Sequence, residues 1–326
     1  MLSAITPIYA KQLPNIRIYT DSGSLYMEYY SGEAIRFFIS SWYDTPFDYN
    51  FSYTEVKKTI SKVSKYFNIA ISENGTLTLD GIPMMGKKNE QWSLITTYDY
   101  TESFYISTWD MEKIQKLAPF TVEKTWIRPA FEGVYILSGK AVATDTYKLA
   151  EITLNGDIPD IALRNDTLEI IKKYNIKQEK FINLKNIKIS KDSRWYLQII
   201  SGGMILYTSI LKWPFPDYER FFPKQEEYIE INRKWLIEIL KKNTHKNGHC
   251  IIYKDKIKMG NEVTFEIAIE AKATSNFSYI ALNSDYMIDA LNLYESDTVK
   301  IYSNNQVQPI CIYSDDTRSI IMPLKI

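Results

Sequence analysis

The densest concentration of potential chemistry is His245-Lys-Asn-Gly-His249-Cys250, where two imidazoles and a thiol fall close together. Such a run could supply half of a zinc site, which needs four ligands in tetrahedral array. No second ligand pair accompanies it, and it lies between a helical pattern and a strand pattern. It reads as a surface loop, and no metal is expected. Asp157-Ile-Pro-Asp160 and Ser314-Asp-Asp316 could pair carboxylates for hydrolysis, yet acids clustered in turns are usually turn-formers. No glycine-rich phosphate loop, nucleophile elbow or triad-like spacing occurs. The chain has two histidines, which leaves few groups suited to general acid–base work. The sequence predicts a non-catalytic protein without a cofactor.

At 326 residues and 45% apolar content, the chain can build two or three domains with real cores. Its 39 Lys plus Arg balance 39 Asp plus Glu. A global basic excess for nucleic-acid binding is therefore excluded, and any such contact must come from local charge segregation. The two cysteines, Cys250 and Cys311, argue for unpaired thiols in a reducing compartment. No apolar run approaches the length of a membrane span, and the start lacks a basic-then-apolar leader pattern; a cytoplasmic protein is expected. Twelve Gly beside 25 Tyr, with abundant Lys, Ile and Asn, suggest an AT-rich coding genome.

A short amphipathic helix with a polar start recurs five times, each time followed by alternating strands. The starts are Ser52, Thr108, Asn165, Asn232 and Ser284, all good N-cap types, at spacings of 56, 57, 67 and 52 residues. The helices are read as Ser52–Phe67, Thr108–Phe120, Asn165–Tyr174, Asn232–Lys242 and Ser284–Tyr294. The first buries Val56, Ile60, Val63 and Phe67 and turns Lys57, Lys58, Lys62 and Lys65 outward against Glu55, a net of +3. The fourth, extended to Lys246, carries Arg233, Lys234, Lys241, Lys242 and Lys246 against Glu238, a net of +4. Lys172 and Lys173 add charge to the third, whereas the fifth has Asp285 and Asp289 and no lysine.

Between the helices lie strand patterns punctuated by turns. Asn68–Gly75 leads into Thr76–Leu79 through an Asn-Gly pair that tolerates positive φ. Ile187–Arg194 leading into Trp195–Ile200 reads as a further strand–turn–strand pattern. Leu2–Ala10 could form an abbreviated sixth helix before strands at Ile16–Tyr19 and Ser24–Tyr30. Six helix-plus-strands units pair into three domains, 1–105, 106–222 and 223–326. Spacing alone leaves this as a repeated α+β protein.

Local motifs say more. Arg128-Pro-Ala-Phe-Glu-Gly-Val-Tyr-Ile136, followed by Ala141-Val-Ala-Thr-Asp-Thr-Tyr-Lys-Leu149, resembles the middle domain of bacterial β sliding clamps, the β subunits of DNA polymerase III. There a related Arg-Pro strand precedes Ala-Thr-Asp-Gly-His-Arg-Leu. Phe215-Pro-Asp-Tyr-Glu-Arg220 is similar to the Phe-Pro-Asp-Tyr-Arg-Arg segment joining their second and third domains, and Ser319-Ile-Ile-Met-Pro-Leu-Lys-Ile326 to their Val-Met-Pro-Met-Arg-Leu tail. The likeness is clearest from residue 108 onward. Departures are a shortened first helix, Thr146-Tyr147-Lys148 in place of Gly-His-Arg, and a neutral charge where the family tends to be acidic. They mark a divergent member, of the kind a phage or plasmid encodes.

The resemblance implies an α+β DNA-clamp fold: three similar domains, each of two helices and antiparallel sheets, closing a ring by head-to-tail homodimerisation. It implies a processivity factor that encircles double-stranded DNA without reading its sequence and tethers DNA polymerase, with a clamp loader as a further partner. An adaptor of the same fold that does not encircle DNA is the alternative. Inward-facing positive charge suits a ring around phosphates, and the candidates are Lys57, Lys58, Lys62, Lys65, Lys172, Lys173, Arg233, Lys234, Lys241 and Lys242. The resemblance also implies a groove that receives peptides of replication and repair proteins. By position it would use Phe131, Thr144, Tyr147, Lys148, Leu149, Pro216, Arg220, Phe221, Pro309, Ile320, Ile321, Met322, Pro323 and Leu324. Because Phe131 and Tyr147 are bulkier than their family counterparts, the pocket should be reshaped and bind a Gln-x-x-Leu-x-Phe peptide poorly.

Overall fold

The computed structural model describes residues 15–30, 34–41, 45–63, 68–89, 98–122, 129–173, 181–189, 195–201, 204–211, 214–222, 226–242, 248–259, 265–303 and 305–324. In chain order the elements are β1 (Asn15–Asp21), β2 (Ser24–Tyr30), β3 (Ala34–Ser41), β4 (Asp48–Ser52), α1 (Tyr53–Ile60), β5 (Ile69–Ile71), β6 (Thr76–Leu79), β7 (Ile82–Met85), β8 (Lys87–Lys88) and β9 (Tyr98–Ser107). There follow α2 (Thr108–Lys116), β10 (Gly133–Leu137), β11 (Lys140–Thr144), β12 (Lys148–Thr153), β13 (Ile161–Arg164), α3 (Asn165–Lys173), β14 (Phe181–Ile189), β15 (Trp195–Ser201) and β16 (Met204–Ser209). The last group is β17 (Tyr228–Asn232), α4 (Arg233–Lys241), β18 (His249–Tyr253), β19 (Lys256–Met259), β20 (Phe265–Ala268), β21 (Lys272–Ala273), β22 (Tyr279–Asn283), α5 (Ser284–Leu291), β23 (Thr298–Tyr302), β24 (Ile310–Tyr313) and β25 (Thr317–Ile321).

These elements form two compact units, residues 1–108 with 166–210, and 109–165 with 211–326. In the first, a nine-stranded sheet runs β8-β4-β1-β2-β3-β16-β15-β14-β9, and β5-β6-β7 form a small second sheet. Strands distant in sequence join at β3–β16, antiparallel, with Leu206 opposite Ile35 and Ile205 opposite Arg36. In the second unit, a nine-stranded sheet runs β13-β10-β11-β12-β25-β24-β23-β17-β21 beside a four-stranded sheet β20-β19-β18-β22. Its long-range join is β12–β25, also antiparallel, with Leu149 opposite Ile320 and Glu151 opposite Arg318.

Sequence periodicity explains most of the elements. β6 alternates half-buried threonines with buried Leu77 and Leu79, the period of a strand covered on one side. β10 is buried on both faces except at its end, which suits Gly-Val-Tyr-Ile in the middle of a covered sheet. The predicted Asn74-Gly75 turn is present: Gly75 has φ +87°, its N–H donates to the Ser72 carbonyl at 3.0 Å, and a Cβ there would strike the Tyr49 ring. Gly133 is needed for a different reason, since a Cβ would lie 2.3 Å from the Leu163 carbonyl on β13.

All five helix positions read from the sequence are occupied, but α1, α2 and α5 are shorter than read. α1 buries Tyr53, Val56 and Thr59 and ends at Ile60, with turn structure at residues 61–63; its expected continuation through Lys65 to Phe67 lies outside the described residues, as do Leu2–Ala10 and Arg128. α2 stops at Lys116 and passes into a 3-10 turn at Ala118–Phe120, because Pro119 has no N–H to continue the α-helical ladder. Leu117 and Phe120 remain fully buried, so the apolar stripe outlasts the helix. α4 has the expected cap, the Asn232 side chain accepting the Trp235 N–H at 2.9 Å. At α5 the expected cap is displaced by one residue. Asn283, not Ser284, accepts the N–H groups of Asp285 and Tyr286, and Ser284 is the buried first residue of the helix.

Candidate functional site

The β12–β25 join stands on a buried cluster of Tyr135, Val142, Leu149, Ala162, Leu211, Tyr218, Cys311 and Ile320. Covering this apolar surface is the main force holding the two strands together. One face of the join carries a buried charge network. Glu151, 4% exposed, receives a bidentate pair from Arg318 at 2.7 Å and 2.7 Å, the Tyr218 hydroxyl at 2.6 Å and the Lys140 ammonium at 3.3 Å. Burial works to raise the Glu151 pKa, but the bonds from Arg318 and Tyr218 outweigh it and hold the carboxyl below its ordinary range. Arg318 also grips Glu219 at 2.5 Å and lies over the Phe222 ring, 4.2 Å from its centre.

This network fixes residues 214–222, the segment that carries Pro216, Arg220 and Phe221. Phe215 packs on Tyr135 and Tyr218 at 4.8 Å and 5.7 Å between ring centres. The short 3-10 turn Glu219–Phe221 then leaves Arg220 and Phe221 exposed, with the Arg220 guanidinium 5.0 Å from the Phe221 ring centre.

Beyond β25 the chain stays ordered through backbone bonds. The Met322 N–H donates to the Tyr147 carbonyl, and the Leu324 N–H to the Ala281 carbonyl, both at 2.8 Å. The second unit thus brings the β11–β12 turn, the 3-10 turn and the segment after β25 into one structure. Of the residues assigned to a groove from the sequence, Tyr147, Arg220, Phe221 and Met322 are exposed, while Phe131, Pro216, Pro309, Pro323 and Leu324 are half-buried. Thr144, Leu149, Ile320 and Ile321 are buried. Leu149 and Ile320 belong to the core cluster, and the Thr144 hydroxyl donates to the Lys148 carbonyl at 2.8 Å, closing the turn.

Lys148 differs most from what its place in the motif suggests. It is 6% exposed, its ammonium is bonded to Asp289 of α5, and a second carboxylate, Asp145, lies 4.0 Å away. The rings of Tyr286 and Phe120 lie 4.9 Å and 5.2 Å from the same nitrogen. Asp145 in turn accepts the N–H groups of Tyr147 and Lys148 at 2.8 Å. Burial, acting against these partners, holds both Asp145 and Asp289 above the usual carboxylate range. Sequence reasoning named Lys148 but missed Asp145, Tyr286 and Asp289; the acidic, lysine-free pattern of α5 was the available signal.

The basic residues sort into two groups. Lys57, Lys58, Lys62, Lys172, Lys241 and Lys242 are exposed. Arg233 is instead tied down, donating to the carbonyls of Ser296 at 2.8 Å and Leu291 at 3.3 Å; a cation there complements the carboxyl end of α5. Lys234 pairs with Asp297 at 3.2 Å. The Lys173 side chain and Lys65 lie outside the described side chains.

Cys250 is buried and His249 exposed, because adjacent residues of β18 face opposite ways, and His245 lies outside the described residues. Among the described residues no three His, Cys, Asp or Glu side chains are placed to hold a metal. Asp160 accepts the Ser138 N–H at 2.8 Å, and Asp316 pairs with Lys113 at 3.1 Å. Lys113 and Lys116, with Trp109, border a depression of about 280 Å³ with a mixed polar and apolar lining. Both lysines there are ion-paired, Lys116 with Glu295 at 3.1 Å. No described helix is long and apolar enough to cross a membrane.

Helices interleaved with long antiparallel sheets, a strand returning from the end of the chain to its middle, and a segment tied down beyond it characterise the fold. The comparisons place it more closely: the chain has the fold of the bacterial β sliding clamps. It superposes on the β subunit of DNA polymerase from Streptococcus pyogenes with a TM-score of 0.83, covering 100% of this chain and 96% of that one at 18% identity. The sliding clamp of Bartonella birtlesii, solved bound to griselimycin, gives 0.81 over 97% and 92% at 16% identity. In sequence, the chain is 22% identical over 247 residues to the β sliding clamp of Buchnera aphidicola subsp. Acyrthosiphon pisum, a match covering 69% of this chain and 65% of that protein. The matched segment thus spans just under two thirds of that relative's length. No protein-family model matches the chain.

Proposed function

We propose that this protein is a DNA sliding clamp: a non-enzymatic ring subunit that encircles duplex DNA and tethers a polymerase through a peptide-binding groove. The observation that carries this reading is the fold likeness over the whole chain, with a TM-score of 0.83 and 96% of the neighbour covered. In this reading the chain comprises three similar domains, 1–105, 106–222 and 223–326, and closes a circle as a head-to-tail homodimer. A clamp loader opens the ring. The exposed lysines Lys57, Lys58, Lys62, Lys172, Lys241 and Lys242 face the phosphates, where diffuse attraction without base contacts permits sliding. Arg233 and Lys234, already engaged, contribute less. The groove comprises Tyr147, Arg220, Phe221 and Met322 at its mouth, with Phe131, Pro216, Pro309, Pro323 and Leu324 beside them and Thr144, Lys148, Leu149, Ile320 and Ile321 beneath. The griselimycin-bound neighbour shows that a clamp of this fold accepts a ligand.

Topology gives the direct test. The protein, loaded on nicked circular plasmid with a polymerase–loader preparation from its source cell, should co-elute with the DNA on gel filtration and be released when one restriction cut linearises the circle. Sedimentation should give a dimer. A monomer that is never retained on circular DNA, yet still binds polymerase peptides, would instead identify a clamp-fold adaptor.

A further inference from the structure

The tyrosine pair at the mouth of the proposed groove has a chemistry of its own. Tyr147 is 59% exposed, and its ring stacks on Tyr286 with centres 6.2 Å apart and planes 27° from parallel. Among the described residues the basic side chain recorded against this pair is Lys148, which is committed to Asp289 and Asp145. Asp285, exposed on α5, adds a third carboxylate, and α5 carries no basic residue. One ammonium therefore faces three carboxylates, a local excess of two negative charges beside an open aromatic surface. The same acids reach Tyr286: its phenol is held above the ordinary range by burial first, then by Asp145, Tyr147, Asp285 and Asp289. Asp289 stays above the usual carboxylate range despite its bond to Lys148. Burial is the chief cause, and the neighbouring Asp285 adds to it.

We infer that Tyr147 and Tyr286, backed by Asp145, Asp285 and Asp289, form a subsite for an arginine side chain of the partner peptide. The inference rests on the groove reading above. An arginine fits on charge and on shape, because a planar guanidinium stacks on a tyrosine face while its N–H groups reach the flanking carboxylates. A lysine would satisfy the charge and lose the stacking. A neutral or acidic residue would leave the negative excess unanswered, and an acidic one would be repelled.

Fluorescence polarisation separates the possibilities. The probes are fluorescein-labelled peptides with a Gln-x-x-Leu-x-Phe core, carrying arginine, lysine, alanine or glutamate at each position flanking the core in turn. At one flanking position the arginine peptide should bind about five- to tenfold tighter than its alanine counterpart, with lysine between them and glutamate weakest. In Asp285→Asn and Tyr147→Ser, whose folding is checked by unchanged thermal melting, the arginine-to-alanine ratio should fall towards one. Equal affinity of the arginine and alanine peptides at every position would overturn the inference and leave the groove reading standing. A preference for glutamate would also overturn it, by showing that Lys148 governs the subsite. If no peptide of the set binds even at millimolar protein, where the weak affinity expected of this core would still register, the groove reading falls and takes the subsite with it.

Discussion

In the first unit Arg17 on β1 donates twice to Asp48 on β4, at 2.8 Å and 2.8 Å, and once to Glu28 on β2 at 3.3 Å. In the second unit Arg318 on β25 makes an equivalent fork to Glu151 on β12 and reaches on to Glu219. Both arginines lock neighbouring strands through a nearly buried glutamate, but they close very different loops. Arg17 and Asp48 are 31 residues apart, whereas Arg318 and Glu151 are 167 apart. Loop-closure entropy grows with the logarithm of length, so the second join costs about 1.5 kcal/mol more to close. Around Arg17 the strands are held by local hairpins; around Arg318 the network itself secures a non-local join and the 3-10 turn beside it. Similar chemistry thus supports local folding in one unit and the architecture of the candidate site in the other.

The sharpest way to break the comparison is to remove each arginine. Arg318→Ala leaves Glu151 buried with only Tyr218 and Lys140 and should cost about 3–5 kcal/mol in urea unfolding. It should also weaken any peptide binding by freeing residues 214–222. Arg17→Ala should cost less, about 1–3 kcal/mol, because its two-bond fork goes to Asp48, which is 42% exposed and can take water instead, and the buried Glu28 loses one longer bond of 3.3 Å.

Acid offers a gentler probe. A glutamate held below its ordinary pKa contributes stability above that ordinary value and loses it as pH falls through the depressed one. Comparing urea midpoints at neutral pH and below pH 4 should therefore show a smaller acid-induced loss in Glu151→Gln than in the unaltered protein. Equal losses would mean that the acid response originates elsewhere. Next in size are the helix caps: Asn283→Ala and Asn232→Ala should each cost about 1 kcal/mol, with Asn283 the larger because it caps two N–H groups. Smallest is the exposed pair Lys234–Asp297, where Asp297→Ala should change stability by less than about 1 kcal/mol. A larger change would show that this pair belongs with the buried networks.

Legibility of the sequence follows the range of the interactions. Helix starts could be read because a polar cap followed by apolar residues three and four apart is a local signal, and strands such as β6 because alternation is local too. Helix lengths could not, since Leu117 and Phe120 prolong the buried stripe of α2 after Pro119 has ended the α-helical ladder. At α5 two good capping residues stand side by side, and only geometry decides for Asn283. The motifs around Ala141–Leu149 and Phe215–Arg220 pointed to the segments that the second unit brings together. They gave no hint that Lys148 would be buried against Asp289, 141 residues away. Nor could they show that Arg233 would be taken up by the end of α5.

The two cysteines bear on how the protein can be observed. Neither Cys250 nor Cys311 is in a disulfide and both are fully buried, and burial pushes their thiols up, Cys311 to about 11. Thiolate is the species that reacts with maleimides, so the native chain should remain almost unlabelled at neutral pH. A single cysteine introduced at Val307, 67% exposed, would then carry a dye selectively in an otherwise unaltered sequence. That gives single-molecule tests of the proposed movement along DNA a route that requires no deletion of core residues.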